Sequence, residues 1–402
     1  MQIKRTRLLR YRKYLIPVEL PKFRPETEPA PTGIATLTEL AKKFPDQVRL
    51  QDLTPQLPVS DHQPWQFRVV SKRNAQYRNL TSPMQQAVQI AAIKNGASVG
   101  RSCCLIGPAN HAVIEAGFHF DVNVLVNSLK LGRFHPYLRR YRAQGDLRTR
   151  ATLPVATHIS GTVAALNNRA AHNFYHWLIE IAPRIAAIEL AGIEPDYFLI
   201  DCQSGFQKSI LAMLGIRPER VLQPHSGLHV RSDEMIFVPE TNVAVLKHFV
   251  AMLEKCIQWD ASAQRRLYIS RRQARNRKIV NEIELERFLV ANGFESVCFE
   301  DLTVADQFRL MRESATVVTA HGAALANTIF ARPGTNIVEI FPQSRSNLAL
   351  YPGLSQSMGL QHISILGEYT PLWRNIRVDM RDIEFALEQL AYKKFTCTSV
   401  AA

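Results

Sequence analysis

The residues best suited to chemistry lie between His321 and Glu339. An apolar, β-branched run at 316–319 predicts a short buried strand that ends just before His321. Gly322 and Ala323 follow it, the spacing then becomes helical, and a Pro-Gly pair ends that helix before a second apolar run. We therefore predict a strand, a tight turn, a helix and a second strand ending at Glu339, which is the unit of a doubly wound parallel sheet.

The predicted turn has the features of an anion site. Gly322 and Ala323 lie where the helix begins, and the free backbone N–H groups and the dipole of a helix N-terminus favour a phosphate. His321 lies beside these donors. The alternative is an ordinary βαβ turn whose histidine packs into the core, because short glycine turns recur throughout α/β proteins.

A second group of candidates is formed by His172, His176 and Glu180, which share one face of a predicted helix because they are four residues apart. Three interpretations are open. The His-x3-His spacing fits zinc ligands, although the internal Glu of an HExxH motif and an obvious further ligand are both missing. The same side chains suit general acid/base catalysis, with Glu180 orienting a histidine or His176 taking a proton directly. They also suit an amphipathic helix whose histidines are satisfied by hydrogen bonds.

Basic residues follow another predicted strand. Arg271 and Arg272 end this strand, and Arg277 comes shortly after them. Strand and helix alternate three times between 266 and 341, which predicts a Rossmann-like sheet whose ligands bind at the carboxyl ends of the strands. Two arginines and a helix N-terminus suit a diphosphate, and the carboxylate of Glu339 suits sugar hydroxyls.

Composition limits the class of protein. The 402 residues predict two domains or one very large domain, and the apolar share of 46% is ample for a core. No run approaches the roughly 18 apolar residues of a membrane span, and no secretory signal is evident. Six cysteines without a CxxC motif favour reduced thiols inside a cell. Neither GxGxxG nor GxxxxGK[ST] is present, which disfavours classical dinucleotide and P-loop sites.

The net charge of +14 is unevenly placed. Residues 1–24 carry eight Lys or Arg against one acid, Glu19. Such a segment suits anionic lipid headgroups or nucleic acid, and it equally suits a solvated tail.

The chain divides into four predicted regions, at 1–90, 91–240, 241–366 and 367–402. The first is basic and proline-rich, which predicts extended linker with one short helix. The second and third are predicted α/β domains, and the last contains a closing helix at Asp382–Lys393. The clearest helical segments are predicted at 37–43, 206–214, 241–258, 281–292 and 304–313.

Several motifs, in order, resemble those of glycosyltransferase family 61. In the second half they are Tyr268-Ile269-Ser270-Arg271, Asn281-Glu282, Gly293-Phe294, Gln307, His321-Gly322-Ala323 with Asn327, Pro333-Gly334 and Val338-Glu339-Ile340. Upstream they are Asn173-Phe174-Tyr175-His176-Trp177-Leu178 and Pro183-Arg184. The resemblance covers about residues 150 to 365, and Ala324 stands where the family often has glycine.

The resemblance implies an α/β fold of GT-B-like architecture, with two Rossmann-like domains facing a central cleft and an extended Pro-rich N-terminal region before them. Residues 241–366 would hold the nucleotide-sugar donor, residues 91–240 would face the acceptor, and the closing helix would pack back on the first domain. Bacterial members of the family act in capsular polysaccharide biosynthesis, whereas eukaryotic members are secretory-pathway transferases. The missing signal anchor favours a bacterial-type cytoplasmic enzyme, in peripheral contact with the anionic inner face of the plasma membrane through residues 1–24.

The resemblance also implies a reaction. An inverting glycosyltransferase moves a sugar from a nucleotide-diphosphate donor, here expected to be a UDP-sugar, to a hydroxyl of a glycan or lipid-linked precursor, as in capsule or exopolysaccharide synthesis. It needs a base and cationic partners for the leaving group. The expected base is His176, supported by Glu180 or His172, with Asp201 as an alternative. The expected substrate-binding residues are His172, Asn173, Arg271, Arg272, Arg277, His321, Gly322, Ala323, Asn327 and Glu339.

No DxD motif is evident, so no metal and no other cofactor is required. Two other classes of protein stay open: a non-catalytic scaffold of a polysaccharide-assembly complex and a basic nucleic-acid-binding protein. The arginines lie at predicted strand ends rather than along one helix, and no nucleic-acid motif appears, so nucleic acid is not an expected partner.

Overall fold

The computed structural model gives a mixed α/β protein. It describes residues 27–29, 31, 33–53, 65–80, 87–116, 152–168, 170–225, 227–343, 348–370 and 375–396. Residues 1–24, for which the sequence predicts contact with an anionic membrane, lie outside the described residues. Within these ranges, no helix combines the length and the apolar character that a membrane span needs.

Strands and helices alternate along most of the described chain. The strands are β1 (Thr27–Pro29), β2 (Gly33–Ala35), β3 (Val48–Asp52), β4 (Trp65–Ser71), β5 (Asn74–Leu80), β6 (Gln89–Lys94), β7 (Ala97–Val99), β8 (Cys104–Gly107), β9 (His111–Val113), β10 (Thr152–Pro154), β11 (Thr157–Ala165), β12 (Tyr197–Leu199), β13 (Val221–Leu222), β14 (His229–Phe237), β15 (Arg265–Ser270), β16 (Glu295–Cys298), β17 (Ser314–Ala320), β18 (Asn336–Pro342), β19 (Gln361–Thr370) and β20 (Asn375–Arg377). The α-helices are α1 (Leu37–Lys43), α2 (Phe174–His176), α3 (Pro183–Leu190), α4 (Gly205–Met213), α5 (Val243–Glu254), α6 (Glu282–Ala291), α7 (Val304–Glu313), α8 (Leu350–Ser357) and α9 (Met380–Thr396). A π-helical turn at Trp177–Ile181 joins α2 to α3, and 3₁₀ helices lie at Pro108–Asn110, Ile114–Ala116, Pro218–Arg220, Phe299–Asp301 and Ala323–Phe330.

The first sheet has the order β13-β12-β11-β14-β7-β8-β9-β2, with β6 beside β14 and β3 beside β6. Strand β11 lies parallel to both β12 and β14, so the strand order reverses between β11 and β14. We call this place, where Leu166 and Pro239 follow the strands, the first switch point. Ligands of doubly wound sheets bind at such reversals, outside the carboxyl ends of the strands.

The second sheet has the order β16-β15-β17-β18-β19-β4-β5, and β20 pairs with β19. Its first five strands are parallel, and the order reverses between β15 and β17. We call this place, where Arg271 and His321 follow the strands, the second switch point. The three alternations predicted between 266 and 341 are therefore confirmed as parallel sheet.

The N-terminal region contains more structure than its prolines predict. The helix predicted at 37–43 is confirmed as α1, which begins with a capping box at Thr36. Residues 33–53 also add β2 and β3 to the first sheet, and residues 65–80 form a hairpin whose strand β4 lies parallel to β19. The expectation of extended linker is wrong for β2 and β3, because their backbone groups pair with the distant strands β9 and β6.

The closing helix α9 packs against β19 and β4 of the second sheet, rather than on the first domain as expected. Asp382 in its first turn accepts hydrogen bonds from the backbone N–H groups of Lys72 (3.1 Å) and Arg73 (2.6 Å). Both residues have left-handed backbones in the β4–β5 turn (φ 51° and 56°). The buried carboxylate therefore fixes the helix to the hairpin of the same sheet.

One buried apolar cluster joins the two sheets. It contains Trp177 and Leu178 from the first half together with Leu325 and Ile329 from the second. Helix α2 contacts the 3₁₀ helix Ala323–Phe330 directly. The segments that follow the two switch points are thus packed side by side.

Candidate active site

Glu282 organises the end of strand β15. Its Oε1 atom accepts hydrogen bonds from the hydroxyls of Tyr268 (2.9 Å) and Ser270 (2.7 Å) and from the backbone N–H of Arg271 (3.1 Å). Glu282 is the first residue of helix α6, and the positive end of the helix dipole favours a carboxylate there. These contacts hold Arg271 at the second switch point.

The Arg271 guanidinium lies against the backbone of Gly322. A Cβ atom at position 322 would overlap its Nη1 and Cζ atoms, so this close approach needs glycine. Arg271 Nη2 donates to Asn276 O at 3.1 Å, whereas Nε is buried without a hydrogen-bond partner among the described residues. Burial lowers the pKa of Arg271. A half-buried arginine whose terminal nitrogens are partly exposed is suited to an anion such as a phosphate.

The two neighbouring arginines are placed differently. Arg272 keeps 54% of its side chain exposed, 3.5 Å from Glu286 of helix α6. Arg277 has a left-handed backbone (φ 61°), and its charge acts on the Tyr351 phenol together with that of Arg271. Arg271 and Arg277 therefore both lie near enough to Tyr351 for their charge to act on its phenol, whereas Arg272 lies toward α6.

His321 and Glu339 form a buried pair. His321 Nδ1 is 2.5 Å from Glu339 Oε1, and the side chains are 7% and 1% exposed. Burial alone would raise the pKa of Glu339, but hydrogen bonds from His321 and His362 lower it to about 2. Glu339 lies in the middle of β18, beside Thr319 of β17, rather than at the strand end. This geometry contradicts the expected contact with sugar hydroxyls, because both carboxylate oxygens are bonded inside the core.

Three residues that the sequence analysis did not select complete this cluster. His362 Nε2 is 3.1 Å from Glu339 Oε2, and Ser355 Oγ is 2.8 Å from His362 Nδ1. The Ser364 hydroxyl donates to Glu339 Oε2 at 3.3 Å. A signal was present in the sequence, because His362 and Ser364 alternate with Ile363 and Ile365 in a strand and so face the same side.

His176 and Glu180 form a second pair, close to the first sheet. His176 Nδ1 is 2.9 Å from Glu180 Oε1, and the side chains are 26% and 39% exposed. Asn168 donates to the other Glu180 oxygen at 3.4 Å. The predicted contact between the histidine and the carboxylate one turn later is confirmed, and the pair is open to solvent.

His172 does not share the face of this pair. Helix α2 begins after Asn173, its N-cap, whose Oδ1 accepts from the Tyr175 N–H at 2.9 Å. His172 is exposed and precedes the cap, so the predicted three-residue face is wrong at this position. Asp201, the alternative base, follows β12 and accepts from Gln223 Nε2 at 2.8 Å.

Aromatic rings connect the two histidine–glutamate pairs. Ring centroids are 5.3 Å apart for His176 and Tyr175, 5.5 Å for Tyr175 and Tyr351, and 5.2 Å for Tyr351 and His321. Burial raises the pKa of both tyrosines, so their phenols stay neutral. The structure thus brings His176 and His321 to opposite ends of one row of rings.

Ala323 and Asn327 lie in a 3₁₀ helix, where the sequence predicts an α-helix. Ala323 is half-buried next to the turn. Asn327 is fully buried and donates to Gln307 Oε1 at 3.1 Å, so it links this helix to α7 instead of facing a ligand. In the described ranges, no three His, Cys, Asp or Glu side chains are arranged to hold a metal ion.

A buried arginine occupies the first switch point. Arg184 donates from Nη1 to Leu166 O and from Nη2 to Pro239 O, both at 3.0 Å. Its guanidinium carbon lies 5.6 Å from the centroid of the Phe237 ring, and burial lowers its pKa to about 10. Arg184 therefore ties together the two strands at this reversal.

The fold and the site define a doubly wound α/β protein with charged residues at a reversal of strand order, where proteins of this class bind ligands. Residues 174–338 match the family model described as Glycosyltransferase 61. Over this region, the chain is similar to glycosyltransferase family 61.

Relatives with this similarity are animal proteins named protein O-linked-mannose β-1,4-N-acetylglucosaminyltransferase 2. The Homo sapiens protein is 35% identical over 122 residues, which cover 27% of this chain and 18% of that protein. The Xenopus tropicalis protein is 33% identical over 114 residues, covering 26% and 20%. The chain thus spans about a fifth of the length of the curated relatives it matches.

Proposed function

We propose that this protein is an inverting glycosyltransferase that moves a sugar from a nucleoside-diphosphate donor to a hydroxyl of a glycan. The observation that carries the proposal is the meeting of Arg271 and His321 at the second switch point, where two adjacent parallel strands end. The match of residues 174–338 to family 61 supports the same class of reaction.

The donor diphosphate lies against Arg271, in this proposal, with Arg277 and the backbone N–H groups after Gly322 as further partners. The guanidinium of Arg271 supports this assignment, because it is only half-buried and makes one hydrogen bond in the described chain, from Nη2 to Asn276 O, so it is able to donate to a phosphate oxygen. The turn at the start of the 3₁₀ helix adds N–H groups that lack intrahelical partners. A UDP-sugar is the expected donor.

Transfer requires a base on the acceptor side, and we assign it to His176. Its Nδ1 is 2.9 Å from Glu180 Oε1, so the neutral ring carries its hydrogen on Nδ1, and Nε2 is the basic nitrogen that takes the proton of the acceptor hydroxyl. The acceptor oxygen then forms a bond to the anomeric carbon while the bond from that carbon to the diphosphate breaks. The diphosphate leaves with the electron pair, and Arg271 and His321 stabilise its charge.

A GT-B-like arrangement is part of the proposal. It is supported by the row of rings that links His176, after the first sheet, to His321, after the second. The relatives are named for transfer of N-acetylglucosamine to protein O-linked mannose, so this sugar is the first to test. A glycan or lipid-linked precursor in capsule or exopolysaccharide synthesis is the proposed acceptor, and a cytoplasmic location is part of the same proposal.

The test is a thermal-shift screen of the full chain against UDP, GDP, CMP and their sugar conjugates. A ligand that binds only the folded state raises the melting temperature. At a concentration 100 times Kd, it adds about 2.7 kcal/mol to the free energy of unfolding. Arg271→Ala should lose this stabilisation. Arg287→Ala, which removes an exposed arginine from helix α6, should keep it and serves as the control for lost charge.

Stabilisation by one nucleotide that depends on Arg271 identifies the donor class. If the nucleotide still stabilises the Arg271→Ala variant, the donor binds at a place other than the second switch point. If no nucleotide stabilises the protein, the donor site is refuted, and binding of DNA becomes the next measurement.

A further inference from the structure

A chain of four buried side chains runs from Ser355 to His321. Ser355 Oγ is 2.8 Å from His362 Nδ1, and His362 Nε2 is 3.1 Å from Glu339 Oε2. Glu339 Oε1 in turn is 2.5 Å from His321 Nδ1. All four residues are buried. Of these residues, only His321 belongs to the donor site proposed above.

The carboxylate fixes where the hydrogens of this chain lie. Both Glu339 oxygens accept, so His321 Nδ1 and His362 Nε2 each carry a hydrogen. The other ring nitrogen of His362, Nδ1, is 2.8 Å from the Ser355 hydroxyl, which is able to donate to it. Among the described residues, no Lys or Arg forms an ion pair with Glu339. The positive charge that offsets this buried carboxylate therefore falls on an imidazole.

His321 is the imidazole that carries this charge. Unlike His362, which is enclosed between Ser355 and Glu339, His321 lies at the carboxyl end of β17 beside the turn. Its second proton sits on Nε2, the ring nitrogen directed away from Glu339. The proposed diphosphate lies at this same edge of the sheet.

The other charged or titratable groups that face His321 keep their charge near neutral pH. Tyr351 of α8 lies 5.2 Å away between ring centroids, and burial raises its pKa. Arg271, which follows β15 and touches Gly322, stays cationic, as does Arg277 beside Tyr351. Glu339 stays anionic. By contrast, an ordinary imidazole titrates close to neutral pH, so the experiments below follow His321.

We infer that His362 is a positioning residue, which acts through Glu339 to hold His321 as an imidazolium whose Nε2–H donates to the departing diphosphate. The inference rests on the proposed function of the second switch point. His362 touches no substrate. It shares the Glu339 carboxylate with His321, and so sets the pH at which His321 loses its second proton.

The first test follows His321 by nuclear magnetic resonance of the imidazole nitrogens, in the full chain without nucleotide, with His321→Gln to assign the signal. In His362→Leu the carboxylate loses one of its two imidazole donors, so His321 should hold its second proton to a pH about one unit higher. His362→Gln should restore the wild-type titration, because its amide can donate to Glu339 and accept from Ser355. Ser355→Ala should give a smaller upward shift, and it replaces His362→Leu if that variant does not fold.

The second test measures the affinity of UDP against pH by calorimetry. Wild-type affinity should fall about tenfold as His321 loses its charge, and His321→Gln should lack this fall. In His362→Leu the fall should move to higher pH together with the His321 titration.

The two tests separate the inference from the proposed function. UDP binding whose pH profile is unchanged in His362→Leu and Ser355→Ala overturns the inference, because a merely structural role would change only the melting temperature. A shifted His321 titration without any UDP binding refutes the donor site instead, and leaves the positioning of His321 by His362 standing.

Discussion

The two switch points of this protein hold arginines that are used in different ways. At the first, Arg184 donates from both terminal nitrogens to the carbonyl oxygens of Leu166 and Pro239, the residues that follow the two strands. At the second, Arg271 donates to one carbonyl oxygen in the described chain, that of Asn276. The Nε atoms of both arginines are buried without a partner among the described residues, so the difference lies in the terminal nitrogens. Arg184 thus joins the two strands at the first switch point, whereas Arg271 is able to bind an anion at the second.

The histidine–glutamate pairs near the two switch points also differ, in how far they are exposed to solvent. His176 and Glu180 are half-exposed on a helix, where protons exchange readily with solvent. His321 and Glu339 are buried, and His362 contacts the second carboxylate oxygen of Glu339. We conclude that the first region is suited to moving a proton, whereas the second is suited to holding a charge in place.

The largest expected effect comes from removing the proposed base. His176→Ala should lower kcat for sugar transfer by about a hundred- to ten-thousand-fold and leave nucleotide affinity within about twofold. Steady-state kinetics together with calorimetry checks both numbers.

His158→Ala is the control for this variant, because His158 is an exposed histidine of the first sheet paired with Asp233. It should retain full activity. An equal loss of nucleotide affinity in His176→Ala would show that the first region is not separate from the donor site.

The next largest effect concerns the arginine that closes the first switch point. Arg184→Met leaves two buried carbonyl oxygens without partners, so the free energy of unfolding should fall on the order of 3 kcal/mol. Arg271→Ala should change it by less than about 1 kcal/mol while it abolishes nucleotide binding. Urea denaturation of both variants measures the contrast, and equal losses of stability would remove the distinction between the two arginines.

Acid titration distinguishes the two pairs. The pKa of Glu339 is lowered to about 2, so its contribution to stability is present above pH 4.5 and is lost as the pH falls toward 2. Glu339→Gln should lack a contribution on the order of 3 kcal/mol at neutral pH, and its deficit should shrink toward pH 2.

Urea denaturation between pH 7 and 2 follows this deficit. Glu180→Gln is the control, because an exposed pair one helical turn apart contributes only about 0.3–0.5 kcal/mol. A deficit of Glu339→Gln that stays constant down to pH 2 would contradict the assigned pKa.

The smallest expected effect comes from a single methyl group. In Gly322→Ala, the new Cβ displaces the Arg271 guanidinium, so nucleotide affinity should fall about tenfold. Stability should hardly change, because the φ of Gly322 (176°) is extended backbone that any residue adopts. Gly205→Ala, whose Cβ would meet open space, is the control. An unchanged nucleotide affinity in Gly322→Ala would mean that the new Cβ does not disturb Arg271.

Local patterns were sufficient to predict several elements. The helices at 37–43 and 304–313 were predicted with the bounds that the structure gives, because each begins with a threonine N-cap and a local apolar period. The placement of Arg271 and His321 at strand ends also followed from the sequence. Such features depend on residues within one or two helical turns.

The remaining features depend on contacts between distant segments. The pairing of β4 with β19 is set by the register of a sheet assembled from both ends of the described chain. The burial of Glu339 was not predicted, because its partner His362 lies on the neighbouring strand. The position of His172 depends on where the helix begins. The helix begins after the N-cap residue Asn173, so His172 lies outside it.

The pairing of β4 with β19 has a consequence for synthesis of the protein. The hairpin of β4 and β5 leaves the ribosome early, whereas β19 and Asp382, which bind it, are made after the rest of the second sheet. At about 5–20 residues per second, the hairpin waits on the order of ten seconds or longer for these partners. Meanwhile its strand edges are unpaired and available to chaperones or to other nascent chains.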